Sequence, residues 1–330
     1  MKHALCTLSM LLALVYGMHA QDIQYSQSYS NPLFLNPAFA GTAETTRFIM
    51  NSRLQWPGIG NPYRSYGVGA DTYLWKMNSG LGVSFVRDVA GTHRMSNSVV
   101  NLAYSQHIRT GYRSTLTMGV QVGFGQRSFQ TDRLLFADQV INESAVSLDA
   151  PQLAPNVTYS DLSIGGLFFM RQFWVGAAMF HINQPNQSFM SGVEGLSRRF
   201  TLHGGWNVPS AQFKNSRNNK ELKLLFNYKA QREWDQLDLG GYYSAMGVHF
   251  GLWYRGLPFK AYAPGYTNQE SLVFLIGYET EKGHTFGYSY DYTLSRLAGF
   301  SAGAHEVSMK VQLKSKKRKP KRRIVPCAKF

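Results

Sequence analysis

Apolar and polar side chains alternate with a period of two along most of the chain. In residues 285–294, aromatic and leucine side chains occupy every second position, and small or polar side chains stand between them. The same alternation runs through residues 115–124 and 306–313. Successive side chains of a β-strand point to opposite faces, so this period predicts strands. About fourteen strands are predicted, beginning near residues 46, 64, 80, 97, 112, 160, 172, 198, 220, 234, 246, 269, 284 and 304.

The predicted connections differ in length in a regular way. Even-numbered strands lead into short turns such as 77–80, whereas odd-numbered strands lead mostly into longer loops. Bacterial outer-membrane barrels alternate short periplasmic turns with longer outer loops. The turn near Arg232 is too short and the connection 209–219 too long for this pattern, which leaves the strand count open by two. The longer loops are predicted at 56–63, 88–96, 128–159, 182–197, 256–268 and 295–303.

We therefore predict an all-β fold, a transmembrane antiparallel β-barrel of about 14 strands. A soluble sandwich also alternates, but the connection lengths favour the barrel, whose closure pairs every backbone group within lipid. An even strand number predicts both termini on the periplasmic side. The interior is predicted to be small and neutral, with room for a lumen or a plug. Its small residues include Gly67, Gly69, Gly82, Ser84, Gly119, Gly123, Thr201 and Gly205.

Composition divides the chain into four parts. Residues 1–20 combine a short basic start, an apolar run and Ala20, which predicts a signal peptide rather than a buried helix. We expect an N-terminal periplasmic or plug segment at 21–45, the barrel at 46–313 and a tail at 314–330. No mature stretch approaches the ~20 apolar residues of a membrane-spanning helix. Aromatic residues make up 14% of the chain and are predicted to form girdles at both membrane interfaces.

The net charge of +15 is concentrated at the C-terminus. Nine of the 34 basic residues lie in residues 314–330, which contain no acidic residue, whereas residues 21–313 carry only +5. A nucleic-acid-binding domain would carry basic patches over its folded body, so nucleic acid is not an expected partner. The tail is predicted to bind an acidic periplasmic protein or an envelope polymer, unless it is a solvated tail without a partner. Its candidate residues are Lys314, Lys316, Lys317, Arg318, Lys319, Lys321, Arg322 and Arg323.

The search for catalytic chemistry yields little. The histidines are isolated, Cys327 is the only cysteine after residue 20, and residues 119–123 fit neither a phosphate loop nor a dinucleotide turn. His203 with Ser308 and Glu306 could form a hydrolase site, but structural roles for these polar residues are much more common. We therefore predict no enzyme, and no catalytic, cofactor-binding or metal-binding residues.

Two motifs stand at opposite ends of the predicted mature chain. Residues 24–27 (Gln-Tyr-Ser-Gln) and 31–41 precede the first strand, and two Asn-Pro pairs indicate ordered turns there. The apolar residues among them favour a plug or lid over a plain linker. The last hairpin contains residues 288–295 and 303–306, with Asp291 on the inward face.

Together these motifs resemble the PorP/SprF family of type IX secretion system membrane proteins. The resemblance covers both ends of the barrel, with compatible length and alternation between them; the basic tail departs from it. It implies an outer-membrane protein of Bacteroidota that acts with the type IX secretion and gliding machinery. The partner-binding candidates are Asn36, Pro37, Ala38, Phe39, Gly41, Tyr290, Asp291, Ser295, His305 and Glu306.

Some members of this family are paired with a very large secreted adhesin. The resemblance thus implies that the barrel helps to secrete or anchor such a protein through protein–protein contacts. The outer loop 128–159, with Phe136, Asp138, Glu143 and Asp149, is the expected contact surface. The alternative is a diffusion channel or substrate-specific porin, which would need an open lumen lined by charge.

Overall fold

The computed structural model describes residues 22–91, 95–130, 139, 141, 154–189, 195–209, 220–263 and 266–313. Fourteen antiparallel strands form a closed barrel in which β1 pairs with β14, as the alternation predicts. The strands are β1 (Arg47–Gln55), β2 (Tyr63–Leu74), β3 (Ser79–Ala90), β4 (Met95–Arg109), β5 (Thr115–Ser128), β6 (Asn156–Phe169), β7 (Phe173–Phe180), β8 (Arg199–Asn207), β9 (Glu221–Gln231), β10 (Trp234–Ala245), β11 (Val248–Ala263), β12 (Tyr266–Glu279), β13 (Thr285–Thr293) and β14 (Ala304–Gln312).

Buried and exposed side chains alternate along the strands, as the sequence pattern predicts. In β13 every second residue from Thr285 is buried, whereas Phe286, Tyr288 and Tyr292 are exposed on the outer face. In β5 the exposed positions include Met118 and Val120. The outer face of the barrel is therefore a continuous apolar surface for lipid, as expected of a transmembrane barrel. Among the described residues, no helix is long and apolar enough to cross a membrane.

The two mouths of the barrel are distinguished by the strand direction. We call the mouth where β1 begins and β14 ends the near mouth, and the opposite one the far mouth. Odd-numbered strands run from the near to the far mouth. The two-residue turn at 232–233, which disturbed the predicted pattern, is a far-mouth turn, and the connection containing 209–219 joins β8 to β9 at the near mouth. The strand count of fourteen is correct despite these two exceptions.

Two of the predicted long loops are mostly strand. β11 and β12 extend through most of 256–268, and β3 and β4 leave only residues 91–94 between them. The register of β11 against β12 shifts between Arg255 and Gly256 and again further on. Such bulges place two residues opposite one and break the period of two, which is why the alternation ended too early in this region.

The lumen is filled by the N-terminal segment. Residues 25–42 are almost entirely buried, with Phe34 only partly so. They form 3₁₀ turns at Ser28–Ser30 and Pro37–Phe39 and one α-helical turn, α1 (Pro32–Leu35). Asp22 contacts residues at the far mouth, whereas Gly41 contacts β2 near its near-mouth end. The segment, which we call the plug (residues 22–42), thus passes lengthwise through the barrel before β1 begins.

The plug separates the first and last described residues. Asp22 lies at the far mouth and Leu313, bonded through its N–H to the Thr46 carbonyl, lies at the near mouth. These two residues lie at opposite mouths because the plug traverses the lumen once before the fourteen strands begin. The position of the two termini, which lie outside the described residues, stays a prediction.

Two expectations about side chains are incomplete. Most buried polar side chains of the interior are uncharged, but Arg47, Arg53 and Arg255 are buried there too, together with several carboxylates. Aromatic residues also occur inside the barrel, because Trp174 and Trp253 are buried against the plug. Composition counts charged and aromatic residues without saying which face of a strand they occupy, and the plug supplies partners that an empty lumen would lack.

Candidate functional site

Asn36 fastens the plug to the wall of the barrel. Its side-chain amide donates to the carbonyls of Gly166 and Ala177, both at 3.1 Å, on strands β6 and β7. Its Oδ1 accepts from the Ala38 N–H at 2.9 Å and so caps the turn Pro37–Phe39. This fully buried amide therefore uses both donor hydrogens on the wall and its acceptor within the plug, which fixes the position of the turn.

Glycines in the wall make room for this turn. A side chain at Gly119 would overlap the backbone of Pro37 and Ala38, and one at Gly165 would overlap the Asn36 side chain. Gly119 and Gly165 are paired in register on β5 and β6. The small inward residues therefore form a seat for the plug, because only glycine allows the plug backbone to approach the sheet this closely.

Aromatic rings pack around the same turn. The Phe39 ring stacks on His203 with centroids 5.8 Å apart and meets the Trp174 ring edge-on at 5.5 Å. Tyr29 stacks on Trp253 at 5.7 Å and donates its hydroxyl hydrogen to the Phe226 carbonyl at 2.6 Å. Aromatic pairs at these distances add to the stabilisation from burial alone, so the near half of the plug is held as a small hydrophobic core.

An ion pair closes the near-mouth end of the plug. The Arg47 guanidinium lies 2.7 Å from the Asp71 carboxylate, and both side chains are buried. Asp71 also accepts from the Gly41 N–H at 2.8 Å, and Arg47 donates to the Phe39 carbonyl at 3.3 Å. One pair of charges on β1 and β2 thus binds the chain where it leaves the lumen.

The other half of the plug is bound by carboxylates of the last hairpin. Glu306 accepts from the backbone N–H of Ser26 at 2.7 Å and of Gln27 at 3.2 Å. Asp291 accepts from the Ser26 hydroxyl at 2.5 Å. Arg53 on β1 pairs with both acids, at 2.9 Å to Asp291 and 3.4 Å to Glu306. The two sequence motifs, almost a whole chain apart, therefore meet in the lumen.

The charges continue around the wall as a compensated network. Arg255 on β11 bonds to Asp291 at 3.0 Å and to Asp238 at 2.9 Å, and Asp238 lies 3.7 Å from Lys229. All four side chains are buried. Removing ions from water is costly unless each has a counter-ion and hydrogen bonds. Here each carboxylate faces at least one cation, so the charged interior is consistent with a closed lumen.

Asp22 at the far mouth is held by two basic groups. Its carboxylate lies 2.8 Å from Arg199 and 2.7 Å from His181, and the other nitrogen of His181 lies 2.9 Å from Asp161. Burial alone disfavours the charged imidazolium, but the two carboxylates outweigh it and raise the pKa of His181 to about 9. Burial opposes ionisation of Asp22 as well, yet His181 and Arg199 lower its pKa below the usual range.

The predicted partner-binding residues fall into three places. Asn36, Pro37, Ala38, Phe39 and Gly41 lie in the plug, and Asp291 and Glu306 bind it. Tyr290 and His305 lie on the outer face of the barrel with ring centroids 5.1 Å apart, and Ser295 lies in the connection between β13 and β14. The basic tail and the loop residues Phe136, Asp138, Glu143 and Asp149 lie outside the described residues.

Sequence reasoning missed the arginines that complete the network. Arg53 and Arg255 are inward-facing and charged, and a charged residue at an inward position of an alternating strand is the signal that could have found them. His203, which from the sequence is a candidate only for a hydrolase site, contacts Phe39, Trp174 and Asn36. His203 and Glu306 share no described contact, so the structure does not assemble a catalytic triad from them. In the described part of the chain no group of His, Cys, Asp or Glu side chains could hold a metal ion.

A cavity of about 440 Å³ lies between the plug and the far mouth. Leu33 and Phe34 of the plug form its floor, and Trp56, Asp88 and Arg127 are among the residues of its walls. We call it the far-mouth cavity. It is the part of the lumen that the plug leaves unfilled on the side of the Asp22 contacts.

Fold and site together define a class: an outer-membrane β-barrel whose lumen is closed by its own N-terminal segment. A family model described as "Type IX secretion system membrane protein PorP/SprF" matches residues 17–311. The chain therefore belongs to the PorP/SprF family of the type IX secretion system. No curated protein matches the chain.

Solved structures of outer-membrane barrels are similar to the fold. The CymD monoaromatic hydrocarbon channel is 12% identical with a TM-score of 0.48, and the match covers 89% of this chain and 93% of that one. The toluene transporter TodX of Pseudomonas putida is 10% identical with a TM-score of 0.45, covering 89% and 94%. CdiB from Acinetobacter baumannii is 8% identical with a TM-score of 0.45, covering 82% and 60%. At this level the likeness concerns the barrel architecture alone.

Proposed function

We propose that this barrel assists the secretion or surface anchoring of a large secreted adhesin-type protein, as a component of the type IX secretion and gliding machinery. The plug is the observation that carries the proposal. A lumen filled by a buried segment with compensated charges leaves the mouths and rim for contacts with other proteins. The near mouth faces the periplasm and the far mouth the cell exterior, where loop 128–159 contacts the secreted protein.

Replacing the part of loop 128–159 that lies between β5 and β6, residues 129–155, by a short turn tests the contact. We expect the secreted adhesin to appear in the culture medium, because its attachment surface is gone while the barrel remains. Immunoblots of medium and cell surface measure this. Replacement of the connection 209–219, at the opposite mouth, is the matched control and should leave the adhesin on the surface. Unchanged display after loss of residues 129–155 would refute this contact.

The basic tail binds an acidic periplasmic protein or envelope polymer. Leu313, the last described residue, lies at the near mouth, so the tail begins on the side we assign to the periplasm. At physiological ionic strength charges are screened within ~8 Å, so tail-dependent co-purification should weaken with added salt. Protease added to intact cells should spare the tail; cleavage there would reverse the assigned orientation.

The alternative function, a diffusion channel, predicts large steady currents across a planar bilayer. The plug argues against it, because Asn36, Phe39 and Tyr29 occupy the lumen and bind its wall. We expect the purified full chain to conduct little and deletion of residues 22–42 to raise conductance severalfold. Large steady currents from the intact chain would favour the channel.

A further inference from the structure

The far-mouth cavity has the size of a small-molecule site and a lining of mixed polar and apolar side chains. Its volume of about 440 Å³ falls in the range of roughly 300–1,000 Å³ typical of ligand pockets. Its floor is closed by the plug residues Leu33 and Phe34. A ligand therefore enters from the far mouth and stops at the plug.

The charges that line the cavity balance one another. Three carboxylates and three basic groups take part: Asp22, Asp88, Asp161, Arg127, His181 and Arg199. Arg199 and His181 are bound to Asp22, and His181 also to Asp161, at 2.7–2.9 Å. His181 carries its proton at neutral pH because its pKa is raised to about 9 by the carboxylates that outweigh its burial. The cavity thus has no net charge with which to select an ion, which favours a neutral ligand.

Amide side chains supply most of the remaining polar surface. The cavity is lined by Gln24, Gln55, Asn97, Asn101, Gln121 and Gln187. Both Gln121 and Gln187 are only 6% exposed. Within the described residues, the Gln121 Oε1 and the Gln187 Nε2 have no hydrogen-bond partner. An unpartnered buried polar atom costs about 1–3 kcal/mol. Because one atom accepts and the other donates, a ligand with hydroxyl groups would satisfy both once the two amide groups turn toward the cavity.

Aromatic rings share the apolar part of the lining with aliphatic side chains. Trp56 and Tyr63 lie with ring centroids 5.6 Å apart, and Phe34, Tyr159 and Phe180 line other parts of the cavity. The Tyr159 hydroxyl donates to Asn97 at 2.8 Å, which orients that amide. A sugar has two kinds of surface, and the cavity offers a partner for each. Its C–H faces stack on aromatic rings, and its hydroxyls donate to and accept from amides and a carboxylate.

We propose that the far-mouth cavity binds a neutral saccharide, with Gln121, Gln187 and Asp88 bonding its hydroxyls and Trp56 stacking on a sugar ring. A purely apolar ligand would leave the unpartnered amide atoms unsatisfied. A peptide strand would have no sheet edge to extend, because the barrel is closed, and it could not pass the plug. The proposal does not depend on which protein is secreted.

Calorimetric titration of the purified full-length protein tests this site. The protein is kept in a zwitterionic detergent without a sugar headgroup. The probes are maltotriose, chitotriose, mannotriose and the delipidated outer-leaflet saccharide of the producing bacterium, with toluene and trialanine as non-saccharide probes. We expect at least one saccharide to bind at millimolar concentration or below, and toluene and trialanine not to bind.

Gln121→Leu should weaken saccharide binding about tenfold, which corresponds to about 1.4 kcal/mol, because the new side chain keeps the size but removes the amide. Gln126→Leu is the matched control, since Gln126 lies on the outward face of the same strand. Trp56→Ala provides a second variant at the mouth. Heat-dependent migration of the barrel in gels verifies folding. Absence of binding by every saccharide, binding of toluene or trialanine instead, or equal affinity of Gln121→Leu and wild type would overturn the proposal.

Discussion

The two halves of the plug are held in place by different forces. The near half, Tyr29–Gly41, lies against glycines and aromatic rings and fits mainly by shape. The buried Arg47–Asp71 ion pair binds it only where the chain leaves the lumen. The far half, Asp22–Gln27, is bound by carboxylates, arginines and one histidine. Shape complementarity does not respond to pH, whereas ion pairs do. The barrel therefore fixes most of the near half by packing and the far half by a network of charges, and the far half adjoins the far-mouth cavity.

Removing a cation from the charged half should have the largest effect. Arg53→Met leaves Asp291 with Arg255 alone and removes the cation beside Glu306. We expect the free energy of unfolding to fall by about 3–5 kcal/mol, the usual cost of breaking a buried ion pair. Urea unfolding in lipid vesicles, followed by tryptophan fluorescence, measures this. Arg64→Met removes an exposed arginine of β2 and is the control; equal effects of both variants would contradict a network role.

Adding one methyl group to the seat tests the packed half. Gly165→Ala should lower the free energy of unfolding by about 1–3 kcal/mol, because the new side chain would overlap Asn36 and overpacking is costly. Gly166→Ala is the matched neighbour, since its nearest atom, the Thr117 carbonyl oxygen, would be 3.9 Å from the added carbon. The same unfolding measurement applies. Similar stability of the two variants would show that the seat does not hold the plug.

The charged half alone should respond to alkaline pH. The pKa of His181 is raised to about 9, above its ordinary value of about 6.5. The stabilisation that protonated His181 adds to the folded state is therefore fully present below pH ~6.5 and is lost as the pH rises through about 9. Once the base-catalysed rise in intrinsic exchange is subtracted, hydrogen-exchange protection at residues 22–27 should fall over that range, whereas protection at Asn36, Ala38 and Phe39 should stay constant. His181→Gln should abolish the alkaline transition; a transition that persists in this variant would assign it to another group.

The smallest effect is expected at Tyr25 in the far half. The Tyr25 hydroxyl is buried without a hydrogen-bond partner among the described residues, and its ring meets Phe34 edge-on at 5.0 Å. Tyr25→Phe keeps the ring contact and removes only the hydroxyl, which has no hydrogen-bond partner among the described residues. We expect the free energy of unfolding in urea to rise by about 1 kcal/mol, because an unpartnered buried hydroxyl destabilises the folded state. A large loss of stability would show that the hydroxyl has a partner in solution.

Alternation in single strands was sufficient to predict the barrel and much of its inner face. The pattern predicts Asp291 on the inward face because Tyr288 and Tyr292 occupy the outward positions of the same alternating strand. The same pattern did not predict the last residues of β11 and the first residues of β12, because the bulge at Gly256 breaks the period of two. The plug contacts were not predictable in this way, because Asn36 bonds to carbonyls of strands more than a hundred residues away.

The sequence by itself determined a closed antiparallel barrel, its apolar outer face and, by motif resemblance, its family. These properties depend on local periodicity and on short motifs, which are readable residue by residue. Only the tertiary structure decided that the N-terminal segment traverses the lumen, that Ser26 and Gln27 meet Asp291 and Glu306, and that a cavity remains above Leu33. The reason is physical: closing the barrel brings β1 beside β14, and the partners of a buried group are set by that closure and not by its neighbours along the chain.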